Sequence, residues 1–176
     1  MCKKFVYEKN LDKILKTKSN DLIVIQNKNN VDKNNFLKTI TNSKVATLYF
    51  SLKYSKEQIA DMILESESFL SIDKIKSLKM NADEYLLLAK AYKKIINYNL
   101  FITDKSSITL EELEKQCIKM KLEKDIKFVI INNLQLLSKN SKKTTDEVCN
   151  YLKELALKLN ISIFALSSGI ENVSKK

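Results

Sequence analysis

Five short apolar runs constrain this chain most: Leu22 to Ile25, Val45 to Phe50, Leu100 to Thr103, Phe128 to Ile131 and Ile161 to Leu166. Each is nearly continuous. A strand with one wet face alternates apolar and polar residues, whereas a strand covered on both faces has no need to. Between the runs lie helix starts marked by capping boxes, in which a hydroxyl is followed three residues later by a carboxylate or amide: Ser55 with Gln58, Thr109 with Glu112, and Thr144 with Glu147. Tyr85, Leu88, Ala89, Tyr92, Ile95 and Ile96 recur at helical spacing, as do Val148, Leu152, Leu155 and Leu159. Both stripes are expected in the core. This alternation predicts an α/β fold: a mainly parallel, five-stranded sheet flanked by helices with right-handed crossovers, Asn27 to Lys33 linking the first strand to its helix. With 176 residues, one domain over 1–176 can bury its own core.

Composition removes several function classes. There is no histidine, so imidazole bases and histidine-ligated metals are excluded. Cys2, Cys117 and Cys149 are scattered and odd in number, which suggests neither a disulfide framework nor a zinc site and fits a reducing cytoplasm. No apolar run approaches the ~20 residues of a membrane span, and the start MCKKFVYEKN turns polar before a signal-peptide core could form. No membrane partner is expected.

The segment Asp21 to Ile40, DLIVIQNKNNVDKNNFLKTI, has the strand, polar loop and helix of a phosphate-binding P-loop without its glycines. A working loop, G-x-x-x-x-G-K-[ST], needs glycine to wrap backbone around phosphate, lysine for the β/γ oxygens and a hydroxyl for Mg²⁺. Asn27 and Asp32 stand at the glycine positions, Lys33 remains, and Asn34 replaces the hydroxyl. An aspartate aimed at a triphosphate repels it. The chain has one glycine, Gly169, no proline, and lysine for all 31 of its basic residues, a bias typical of AT-rich genomes. A glycine required for close ligand approach should resist such drift. Lys33 alone does not restore the loop, because a lysine at any one position is expected about one time in six.

Further stretches carry a family resemblance: DLIVI before the loop, LYFSLKYSKEQIADMIL at the second strand, KFVIINNLQLL at the fourth and ISIFALS at the fifth. The chain resembles the RecA-like motor domain of DnaB-type replicative DNA helicases over nearly its whole length. The resemblance implies a P-loop NTPase fold and assigns chemistry that this chain lacks. The family's second strand ends F-S-L-E-M-S with the glutamate that activates water; Lys53 stands there. Loss of a general base costs about 10² to 10⁴ in rate. The family's V-I-D-Y-L-Q-L aspartate, which holds the Mg²⁺ shell, is Asn132, and the A-L-S-Q glutamine that senses the γ-phosphate is Ser168. The family continues into an arginine finger worth about 10³ to 10⁵ in phosphoryl transfer, whereas this sequence stops at Lys176 and holds no arginine. The expectation is a pseudo-ATPase with no catalytic residue, no metal and no cofactor.

What remains is surface. The formal charge of +10 is either a nucleic-acid footprint or a solvated lysine-rich exterior. Lys139, Lys142 and Lys143, in the loop SKNSKKTTDE after the fourth strand, are the DNA-binding candidates, because the corresponding family loop faces the DNA. A second basic run carries Lys3, Lys4, Lys9, Lys13, Lys16 and Lys18. Without arginine forks, binding to single-stranded DNA would be weak, non-specific and salt-sensitive. The favoured function is protein docking on a replicative helicase or on the chain's own copies. Alternatives are a single-stranded DNA-binding module, a residual ATP-binding helicase subunit, or a decayed mobile-element remnant. The family's collar domain, which recruits primase, is not in this sequence, so primase contact is not implied.

Overall fold

The computed structural model describes residues 4–6, 21–27 and 37–168. Six parallel strands form one sheet: β1 (Lys4–Val6), β2 (Leu22–Asn27), β3 (Thr47–Ser51), β4 (Leu100–Thr103), β5 (Phe128–Asn132) and β6 (Ser162–Ser168). Their spatial order is β1-β2-β6-β5-β3-β4. All five expected strands are present. The short β1, which has no apolar run of its own, adds an edge beside β2 in the register Lys4↔Val24 to Val6↔Gln26.

The strands need no alternation because each central one buries both of its faces. Leu22, Val24, Leu48, Phe50, Val129, Ile131, Ile163 and Ala165 point into one core. Their neighbours Ile23, Ile25, Tyr49, Ile130, Phe164 and Leu166 point into a second. The first core is closed by α4 (Leu110–Lys124), α5 (Leu134–Ser141) and α6 (Thr145–Leu159), which contribute Leu113, Cys117, Leu137, Val148, Leu152 and Leu155. The second is closed by the helical segment 37–42, with Leu37 and Ile40, and by α1 (Lys56–Ser68), with Ile59 and Ile63.

The three anticipated capping boxes all form, at Ser55, Thr109 and Thr144. A fourth, Asn81 with Glu84, opens α3 (Ala82–Ile95) and is harder to read in the sequence because its cap is an amide and not a hydroxyl. Each cap contributes about 1 kcal/mol. Helix ends show the glycine shortage directly. Phe69, Leu78, Asp125, Lys142 and Asn160 hold left-handed C-cap positions, at φ between 45° and 59°, that glycine would occupy without steric cost.

One of the two apolar stripes is not core. Val148, Leu152 and Leu155 are buried and Leu159 packs against them, as expected. On α3, however, Ala91 is the buried residue, with Leu88 and Ile95 half-buried, while Tyr85, Ala89, Tyr92 and Ile96 face outward. The reason is layering. The helix packs on α1 and α2 (Ile72–Ser77) through a third, small core of Leu64, Leu70, Ile75 and Ala91, and this needs only a narrow strip of its surface. Replacing Leu152 with Ala should lower the unfolding free energy by about 2–5 kcal/mol in urea titrations. Tyr92→Ser should stay within about 0.5 kcal/mol. Equal losses would return the α3 stripe to the core.

Candidate functional site

In an all-parallel sheet every strand ends at the same edge, and ligands of open α/β sheets bind there, beyond the carboxyl ends. Asn27, Ser51, Thr103, Asn132 and Ser168 are the final residues of β2 to β6. Pairing sets Asn27 opposite Ser168 and Asn132 between Ser51 and Leu166. Asn132, Ser168, Asn27 and the Lys53 turn are thus brought to one edge from distant parts of the chain. Asp32, Lys33 and Asn34 lie outside the described residues, as do the linking segment 28–36 and all of the N-terminal basic run except the Lys4 backbone in β1.

The side chains at this edge form a neutral network. Asn132 is only 4% exposed and donates its Nδ2 to the Tyr49 hydroxyl at 2.7 Å. Burial pushes the Tyr49 phenol up to about 12, against the opposing pull of that amide. The backbone carbonyl of Asn132 accepts from Leu52 N at 2.7 Å, which ties the turn after β3 to β5. Asn133 caps α5, its Oδ1 accepting from the Gln135 and Leu136 amides, and Gln135 Nε2 donates to Ser167 Oγ at 2.6 Å across to β6. A hard cation seeks carboxylate oxygen. The Asn132 position offers only the oxygen of a neutral amide, whose nitrogen donates to Tyr49.

Beyond β3, Ser51 Oγ accepts from Tyr54 N and donates to Tyr54 O, closing a tight turn. Lys53 projects outward with its Nζ 5.3 Å from the Tyr54 ring centroid, a cation–π contact. The one acidic residue that directly follows a described strand is Asp104, after β4. It accepts the Lys56 amide at 3.0 Å and pairs with Lys56 Nζ at 3.6 Å, and the amide hydrogen bond holds its carboxyl below the ordinary range. Asp104 therefore serves the start of α1. Among the described residues no group of histidine, cysteine, aspartate and glutamate is placed to hold a metal ion.

The lysine loop expected after β5 is shorter than the sequence suggests: Lys142 and Lys143 lie in the connection before α6, but Lys139 is helical. Ser138 to Ser141 complete α5, Lys142 is its left-handed C-cap, and α6 begins at Thr145. The sequence NSKKTT lacks apolar residues, but Leu134 and Leu137 anchor the preceding turn in the core and carry the helix onward. Lys139 sits in the last turn of α5, where positive charge complements the helix dipole. The Lys143 ammonium lies 5.7 Å from the Tyr151 ring centroid; the Glu111 and Glu147 carboxyls are held below the ordinary range by helix-start hydrogen bonds, from the Glu111 amide and from the Thr144 hydroxyl, with the Lys143 charge a lesser cause. The three lysines share one corner, yet each also has a local structural role.

Sequence reasoning missed the Tyr49–Asn132 and Gln135–Ser167 bonds, because cross-strand register is invisible in a single chain. Asn133 was findable as an N-cap amide before Leu-Gln-Leu. A raised native pKa means that folded protein holds the Tyr49 proton more tightly than unfolded protein does, so this stabilisation is complete below pH 10 and is lost as pH climbs towards 12. Denaturation at pH 9 and pH 12 should show a fall to which Tyr49 contributes on the order of 2–3 kcal/mol. Tyr49→Phe should remove that share, and an unchanged fall would place the phenol in water.

Comparison with known proteins agrees with this architecture. A solved ATPase domain superposes with a TM-score of 0.79 at 18% identity, covering 95% of this chain and 65% of that one. A DnaB-like replicative helicase solved with its interactions with primase gives 0.76 at 18%, covering 93% and 43%. The sheet and its helices are thus the RecA-like fold of those domains. The replicative DNA helicase DnaB of Geobacillus stearothermophilus is 26% identical over 169 residues, covering 89% of this chain and 37% of its own length. That of Helicobacter pylori is 30% identical over 152 residues, covering 81% and 31%. The chain therefore spans about a third of the length of these relatives. The family model for the DnaB-like helicase C-terminal domain matches residues 7–176, and the chain belongs to that family.

Proposed function

We propose that this DnaB-like domain has lost phosphoryl transfer and works as a protein-docking module in DNA replication, engaging a replicative helicase or further copies of itself. The observation that carries the reading is Asn132. It occupies the end of β5, where the family resemblance expects the metal carboxylate, and its amide is buried and bonded to Tyr49. Lys53, at the general-base position, adds a cation turned onto Tyr54. Asp32 and Asn34 in the sequence add repulsion and remove the Mg²⁺ hydroxyl. Phosphoryl transfer needs these groups together. Interaction with primase, reported for one DnaB-like structural neighbour, supports protein contact as a use of this fold.

Phosphate release by the purified chain with ATP and Mg²⁺ should not exceed the protein-free rate. The double substitution Lys53→Glu with Asn132→Asp should stay inactive, because the phosphate loop still lacks its glycines and hydroxyl. Turnover by the unmodified chain would return it to the helicase enzymes.

Docking is tested by co-sedimentation with a DnaB-type replicative hexamer. The chain should travel with the hexamer, and replacing Lys139, Lys142 and Lys143 together by Gln should leave that association intact. A single-stranded DNA module behaves differently: affinity falls steeply with salt, and the triple variant flattens the slope by up to about three units. Tight DNA binding lost in the triple variant, with no hexamer association, would overturn the docking reading.

A further inference from the structure

We draw no further inference here: the strongest candidate, the cavity of about 370 Å³ at the amino edge of the sheet lined by Thr41, Asn42, Lys44, Lys94, Asn97 and Tyr98, carries nothing because Lys94 already pairs with Glu67 and the Thr41 hydroxyl and Asn97 amide bond helix carbonyls, which leaves Lys44, in a lysine-rich chain, as the one charge of the lining to select a ligand.

Discussion

Everything in this fold depends on a parallel sheet whose central strands are covered on both faces. Parallel strands return only through crossovers, so helices must lie above and below, and the alternating side chains of each strand must all be apolar. Leu48 and Phe50 enter one core while Tyr49 between them enters the other; Val129 and Ile131 flank Ile130 in the same way. Parallel pairing sets the carboxyl ends of the strands at one edge, and the double burial reaches up to it. It also makes any polar group there costly unless it is bonded.

The edge answers that constraint with amides and hydroxyls in place of charges. Asn132 bonds Tyr49, Asn133 caps α5, and Gln135 reaches Ser167, so β5 is joined to β3, and α5 to β6, through neutral partners. A buried aspartate at position 132 would need a nearby cation to remain ionised, and a working nucleotide site provides one in its Mg²⁺. Asparagine needs only Tyr49. On the proposed reading, the missing metal carboxylate and the stability of the sheet edge are the same residue seen from two sides. The surface divides differently. The lysines after β5 have local partners and roles, whereas Lys90 and Lys93 on α3 have no ion-pair partner among the described residues, and Tyr92 and Ile96 beside them face outward.

Much of this was legible in the sequence, for reasons that can be named. Strand positions followed from apolar runs because double burial leaves so few alternatives, and the helix starts followed from capping boxes because the side chain and the amide it satisfies are local. The family resemblance pointed to Lys53 and Asn132; Asn132 ends β5, and Lys53 lies in the turn just past β3. Three things were not legible. The α3 stripe has the periodicity of a buried helix face, and only the layering of α3 on α1 decides which side turns inward. The α5 C-terminus reads as a loop because its polar residues conceal the anchoring of Leu134 and Leu137. The strand β1 has three residues and forms by pairing with β2, not through a pattern of its own.

The central claim is that the altered groups have ended productive nucleotide binding, and calorimetric titration of the chain with a non-hydrolysable ATP analogue tests it most directly. Titrations with and without Mg²⁺ should both give heats indistinguishable from dilution up to millimolar analogue. Micromolar affinity that appears only with Mg²⁺ would contradict the account and mean that the sheet edge still assembles a metal–nucleotide site.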